Sequence, residues 1–341
     1  MMIPDTMRIY RLVAKPTLDN LAITHVPVPQ PGPGEALIRV RASSLNFHDY
    51  LVAAGHIPVA AGRVPMSDAA GEVVALGPDA TGVAIGDRVM GAFFPHWLDG
   101  PPTWANNADV AGETYDGFAA DYVAVPAASL VPMPEGWSFE EAATLPCAGL
   151  TAWRALKAEG EVGPGSVVLV PGSGGLAIFA VQFASALGVR VISTSSSDEK
   201  LTQLAALGAQ DGINYRTCPD WGMRVRELTD GAGADVVMEI GGEATFDQSV
   251  TACRIGGRVL VIGSTGRGAP VLPLRDVIMH HLRVQGMAVG SVALLRELSA
   301  FLAGQTIRPI LNRTFAFEEL ADAFRYQLSG AHLGKIAIRY D

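Results

Sequence analysis

The stretch from Ser166 to Ala177, SVVLVPGSGGLA, constrains this chain more than any other. Val167 to Val170 form a short β-branched apolar run of the kind that suits a strand buried on both faces. Pro171, Gly172, Ser173, Gly174 and Gly175 break that run, and an alanine-rich apolar segment, LAIFAVQFASALG, follows. The order is strand, glycine turn, helix. Gly172, Gly174 and Ala177 fit the pattern G-x-G-x-x-G/A, in which a tight turn exposes backbone N–H groups and aims a helix N-terminus at a pyrophosphate. Glycine supplies 38 of the 341 residues, so the pattern needs support from its flanks.

That support comes from the next apolar run, Arg190 to Thr194. It ends about twenty residues beyond Gly172, where a unit built for NAD carries an acidic residue for the ribose 2′-hydroxyl. Ser195, Ser196 and Ser197 stand there instead, with Lys200 just beyond. Hydroxyls and an ammonium hold a 2′-phosphate through charge-assisted hydrogen bonds, whereas a carboxylate at Ser195 would repel it. The expected cofactor is therefore NADP(H). A plainer reading makes Ser196 the cap of helix DEKLTQLAALG, with Glu199 completing a capping box and Asp198 complementing the helix dipole. The two readings are compatible.

A length of 341 residues suggests two domains. The formal charge of −9 argues against nucleic acid or an anionic membrane as partner, because neither would attract such a surface. No apolar stretch approaches the ~18 residues of a membrane-spanning helix. The first residues lack a signal peptide's apolar core, so a cytoplasmic location is expected. Cys147, Cys218 and Cys253 form neither an even set nor a C-x-x-C pair, which argues against a disulfide scaffold or a thiolate-rich zinc site.

Up to about Pro134 the pattern is β, with MRIYRLV, LAITHV, EALIRVRASSL, GEVVALG, DRVMGAFF and ADYVAV as strands and NFHDYLVAA as a short helix. Pro95 to Asp116 reads as a long polar loop, and such loops in compact domains tend to be functional. From about Glu135 the texture changes. Six apolar strands alternate with helical segments, which specifies a doubly wound parallel sheet. The tail adds helix FEELADAFRYQLSG and strand GKIAIRY.

Taken in order, PGPGEALIRVRASSLNFHDY, GEVVALGPDATGVAIGDRVMG, EEAATLPCAGLTAW, VPGSGGLA and GKIAIRY resemble the medium-chain dehydrogenase/reductase superfamily over nearly the whole chain. The resemblance implies an α/β fold class: a GroES-like β-barrel catalytic domain from residues 1–134 and 307–341, and a Rossmann NADP(H)-binding domain with a six-stranded parallel sheet from residues 135–306. Zinc-dependent alcohol dehydrogenases of that superfamily hold their catalytic metal with a cysteine, a histidine and a second cysteine. By motif those places fall on Asn46, Ser67 and Cys147, and the four cysteines of the structural-zinc lobe are missing from the Pro95–Asp116 region. No metal is expected, since one thiol beside an amide and a hydroxyl makes a poor zinc site.

The chain thus resembles the zinc-independent NAD(P)-dependent alcohol dehydrogenases and quinone oxidoreductases. This implies a reductase that passes hydride from NADPH to a quinone or an α,β-unsaturated carbonyl, with an alcohol dehydrogenase or ketoreductase as the alternative. A non-catalytic nucleotide-binding protein is the reading from a different class.

By the same resemblance Gly172, Ser173, Gly174, Gly175 and Leu176 meet the pyrophosphate, Ser195 and Lys200 the 2′-phosphate, and Gly241 the adenine-side ribose. Tyr215 either lies against the adenosine phosphate or closes a helix–sheet seam. Gly263 and Ser264 are expected against the nicotinamide. Asn46 either orients the nicotinamide ribose or donates to the substrate oxygen, or else is a turn residue satisfying local backbone. His48, with an ordinary pKa near 6.5, is a candidate proton relay. Tyr50 is a candidate oxyanion donor or a packing residue, Asp49 a helix cap, and Cys147 a small wall residue. Phe93, Phe94, Trp97 and Trp104 either line a flat substrate or anchor the long loop. His280 and His281 precede the sixth parallel strand, which in relatives pairs across a homodimer, so a homodimer is expected.

Overall fold

The computed structural model describes residues 2–263 and 271–341, and the chain divides into two compact units. The first comprises Met1–Leu150 and Val289–Asp341; the second is Thr151–Ala288. In the first unit the chain runs through β1 (Thr6–Tyr10), β2 (Ile23–Pro27), β3 (Glu35–Ser44), α1 (Phe47–Ala53), β4 (Ala69–Leu76), β5 (Arg88–Gly91), β6 (Tyr122–Pro126), β7 (Leu130–Pro132) and α2 (Phe139–Ala142). Wide helical turns at Leu145–Gly149 lead into α3 (Leu150–Arg154). Pro146 has no N–H to give a regular ladder, which accounts for the widening there.

The second unit carries β8 (Val167–Pro171), α4 (Gly175–Ala186), β9 (Arg190–Ser195), α5 (Asp198–Ala206), β10 (Asp211–Asn214), α6 (Trp221–Leu228), β11 (Ala234–Glu239), α7 (Phe246–Ala252), β12 (Cys253–Val261), α8 (Leu274–Met279) and β13 (Arg283–Gly286). Its strands form one parallel sheet in the order β10-β9-β8-β11-β12-β13. The connections leave β8 toward one edge and then return to the other, so the order reverses between β8 and β11. Ligands of such sheets bind outside the carboxyl ends of the strands at that reversal. The buried faces of Val168, Leu169 and Val170 show why the run is continuously apolar: helices cover both sides of the strand.

The chain then returns to the first unit through α9 (Val292–Ala303), β14 (Leu311–Ala316), α10 (Leu320–Leu328) and β15 (Lys335–Arg339). There the order β14-β15-β3-β4-β5-β7, with β6 also on β3, is antiparallel except for the β14–β15 pair. This is the mixed α/β architecture expected.

The units divide elsewhere than at residues 134 and 306. Residues after 134 stay with the barrel because Ser44 Oγ donates to the Ala143 carbonyl at 3.1 Å and Arg339 Nε meets Glu140 at 2.6 Å. Helix α9 does so because Ser299 Oγ donates to the Pro132 carbonyl at 2.8 Å and Arg296 to the Ala128 carbonyl at 3.0 Å. Strand β14 escapes sequence reading because only Phe315 of its six residues is buried.

Candidate functional site

At the carboxyl end of β8, Gly172 adopts φ +83°, a left-handed conformation that favours glycine. Its N–H donates to the Thr194 carbonyl at 2.8 Å, tying the turn to β9. Gly174 is the N-cap of α4 and, lacking a side chain, offers the helix no cap. A Cβ on Gly174 would meet nothing within 4 Å, so the helix terminus is approached by open space. Gly172, Ser173, Gly174, Gly175 and Leu176 are half-buried. An uncapped helix start with glycines at its mouth is a backbone site for an anion, and these residues fit the pyrophosphate of a nicotinamide dinucleotide.

The same edge of the sheet gathers the other expected cofactor residues. Strand β9 ends on Ser195, whose carbonyl accepts the Tyr215 N–H at 3.0 Å. Tyr215 itself is exposed. The serine triplet corrects the expected helix cap. Ser197, not Ser196, caps α5, its Oγ accepting the Lys200 N–H at 3.3 Å. Ser195 is buried and its Oγ accepts the Ser197 N–H at 3.3 Å, so Ser196 and Ser197 are the more accessible hydroxyls. Asp198 is held by Asn214, whose Nδ2 donates to it at 2.8 Å. Gly263 is exposed just past β12, and Ser264 lies outside the described residues.

Gly241 is organised by a residue the sequence reading passed over. Glu239 ends β11 fully buried, and its Oε1 accepts the N–H groups of Gly241 and Gly242 at 2.7 and 2.8 Å and the Thr245 hydroxyl at 2.6 Å. Ser249 donates to Oε2. A Cβ on Gly241 would come within 2.3 Å of Thr245 Oγ1. The sequence signal was an acidic residue closing the apolar run Val236 to Met238, where burial without partners would be costly.

In the first unit Asn46, Ser67, Asp68 and Lys335 form one buried polar network. Asn46 Nδ2 donates to Asp68 Oδ2 at 2.8 Å and to Ser67 Oγ at 3.3 Å, while its Oδ1 accepts from Lys335 Nζ at 2.6 Å. Lys335 Nζ also donates to the Leu45 carbonyl at 2.7 Å and lies 3.6 Å from Asp68 Oδ2. The Ser44 hydroxyl completes the set at 2.6 Å from Asp68 Oδ2. Both amide hydrogens of Asn46 thus meet acceptors inside the network, which corrects the expectation that this amide donates to a substrate oxygen. Burial pushes the Asp68 carboxyl up to about 6, with Asp49 adding to the rise and Lys335, Ser44 and Asn46 opposing it. Asp49 is the third residue of α1, not its cap; it accepts the N–H groups of Asn46 and Ser67 at 2.9 and 2.8 Å.

The positions that hold zinc in the metal-dependent relatives do not suit it here. Burial raises the Cys147 thiol well above its usual value, with Asp68 adding to the rise, so no thiolate is ready. Asn46 and Ser67 are bonded to one another, and the nearby carboxylate already faces an ammonium. An amide, a hydroxyl and a protonated thiol are a weak donor set for that ion. None of the three cysteines is in a disulfide.

His48, from α1, reaches the long loop: its Nε2 is 2.7 Å from Glu113 Oε2, and its Nδ1 is 3.9 Å from Asp49 Oδ1. Burial alone would lower its pKa, but the two carboxylates outweigh burial and raise it to about 9. At neutral pH it is an imidazolium, not the half-titrated relay that an ordinary value implied. The pairing in turn lowers Glu113. Tyr50 is drawn elsewhere, its hydroxyl 3.2 Å from His56 Nε2. The aromatic group divides: Phe93, Phe94 and Trp97 are buried edge to face and anchor the loop, and Phe93 also meets the His48 ring, whereas Trp104 is 97% exposed.

Residues 32–135 match the alcohol dehydrogenase GroES-like domain family and residues 175–304 the zinc-binding dehydrogenase family. A zinc-type alcohol dehydrogenase-like protein of Schizosaccharomyces pombe is 40% identical over 332 residues, covering 95% of this chain and 96% of that protein. Among solved structures, an NAD-dependent alcohol dehydrogenase superposes with a TM-score of 0.90 at 32% identity, covering 98% of this chain and 100% of its own. A quinone oxidoreductase of Pseudomonas syringae pv. tomato gives 0.84 at 26% identity, with 98% and 100% covered.

Proposed function

The chain belongs to the medium-chain dehydrogenase/reductase superfamily of alcohol dehydrogenase-like oxidoreductases, and from that premise we propose that it is an NADPH-dependent, zinc-independent reductase of quinones or α,β-unsaturated carbonyls. The observation that carries this reading is the Asn46–Ser67–Asp68–Lys335 network at the place of the catalytic metal. An isolated ketone needs strong polarisation to accept hydride. In a quinone or enone the developing charge spreads over a conjugated system, and hydrogen-bond donors are enough to stabilise it.

Bound NADPH would supply the hydride, from C4 of its nicotinamide. The uncapped start of α4, with Gly172 to Leu176 at its mouth, holds the pyrophosphate. Ser195 and its neighbouring hydroxyls, with the Lys200 ammonium, hold the 2′-phosphate; Tyr215 lies at the same strand ends. The Glu239 carboxylate holds the backbone at Gly241 and Gly242 through their N–H groups. Gly263, just past β12, flanks the nicotinamide. His48 keeps a proton at each ring nitrogen through neutral pH, with Glu113 as counter-ion, and serves as the proton source for the reduced product.

An assay of NADPH oxidation with an enone in chelator-treated buffer, with metal analysis of the same sample, tests this. Saturated ketone as product supports the reading; stoichiometric zinc or an allylic alcohol overturns it. The solved neighbour named as an NAD-dependent alcohol dehydrogenase favours a second reading, alcohol oxidation or ketone reduction, and allylic alcohol would select it. NADPH binding without turnover on quinones, enones, aldehydes and ketones would mark a non-catalytic nucleotide-binding protein.

We also propose a cytoplasmic homodimer. No described helix is long and apolar enough to cross a membrane. Strand β13 forms an edge of its sheet, and α8 before it leaves Leu274, Ile278 and Met279 exposed. A monomeric mass at micromolar concentration would refute the dimer.

A further inference from the structure

We propose that the buried ammonium of Lys335 is the fixed positive charge of the Asn46–Asp68 site, standing in for the metal of zinc-dependent relatives and keeping metal out. The inference deepens the zinc-independent reading above and rests on it. Lys335 comes from β15, far along the chain from β3 and α1, yet its Nζ donates to Leu45 O at 2.7 Å and Asn46 Oδ1 at 2.6 Å and lies 3.6 Å from Asp68 Oδ2. Two of the ammonium's three N–H bonds meet acceptors, and the Asp68 carboxylate is its counter-ion. The side chain is 4% exposed.

The ammonium sets the polarity of everything it touches. It takes Asn46 Oδ1, which turns Nδ2 toward Asp68 and Ser67 and fixes the amide in one of its two orientations. It offsets the charge of a carboxylate that is fully buried and has one oxygen, Oδ1, without a hydrogen-bond partner. A divalent cation entering among Asn46, Ser67 and Cys147 would meet a like charge already neutralising the nearest anion, and would have to displace it. Lys335 therefore acts as a positioning residue, through Asn46 and Asp68, and decides which ions the site accepts.

Metal uptake separates this from a merely structural lysine. The Asn46→Cys/Ser67→His variant supplies, with Cys147, two thiols and an imidazole, and Co2+ reports their ligation by its visible absorption. With Lys335 in place the double variant is expected to bind Co2+ roughly 10–100-fold more weakly than the same variant carrying Lys335→Met. Folding is checked by circular dichroism and by NADPH titration, which reads the other unit. Equal Co2+ affinity with and without Lys335→Met, or no uptake by the folded triple variant, overturns the proposal. Removing one member of a buried ion pair is destabilising, so the comparison is repeated with Asp68→Asn in both backgrounds. The same order of affinities is expected, and its absence overturns the proposal equally. Enone reduction by the parent in chelated buffer tests the zinc-independent reading separately, so either can fail while the other stands.

Discussion

The two polar regions of this molecule are built in opposite ways. At the carboxyl ends of β8 and β9 the donors are main-chain N–H groups beside glycines, half-buried, with an uncapped helix start facing open space. Around Asp68 the groups are side chains, buried, and almost all paired with one another. A backbone site is preformed by the turn itself and waits for an anion. A side-chain network has spent its hydrogen bonds internally, so it holds its own shape and resists an ion that would break it.

Breaking this comparison hardest means attacking the place where the nucleotide side depends on a side chain. Glu239→Ala strips acceptors from Gly241, Gly242, Thr245 and Ser249 and should destabilise the protein by about 3–5 kcal/mol in urea unfolding, since each stranded donor costs on the order of 1–3 kcal/mol. A loss under about 1 kcal/mol would mean that the backbone there holds itself.

Ser195→Asp places a carboxylate at the end of β9. Titration should show NADPH affinity falling roughly 10–100-fold, or about 1.4–2.8 kcal/mol, with NADH spared. Equal binding of both cofactors by the parent protein would remove the assignment of a 2′-phosphate to this corner.

The His48–Glu113 pair sharpens the contrast from the other unit, because its strength depends on pH. His48 is raised from about 6.5 to about 9, so its contribution to stability is fully present below about pH 6.5 and is lost as pH rises through about 9. Across that window the parent's melting temperature should fall toward that of Glu113→Gln, the difference at pH 6 being on the order of 1 kcal/mol. Parallel pH profiles would refute the pairing. The smallest effect is expected at Trp104, where replacement by Ser should change stability by less than about 0.5 kcal/mol, because the ring touches little.

Asn46 and His48 show where local sequence misled. Each was read with its ordinary properties, a spare amide donor and an imidazole near neutrality. Neighbours distant along the chain, Lys335 in one case and Glu113 in the other, changed both. Ser196 and Ser197 show the milder error of one position at a helix cap, where either hydroxyl suits the sequence and only the backbone course selects one.

From the sequence alone came the parallel sheet with its glycine turn, the antiparallel unit and the superfamily, because strand period, turn glycines and apolar runs are local patterns carried by neighbouring residues. The tertiary structure decided the rest: that α9 and residues beyond 134 pack with the barrel, that Glu239 organises Gly241, and that a lysine from β15 sits against Asn46 and Asp68. Apart from the local Glu239 contacts, those are contacts across tens to hundreds of residues. No spacing rule encodes them, since burial and charge pairing are set by what the folded chain brings together.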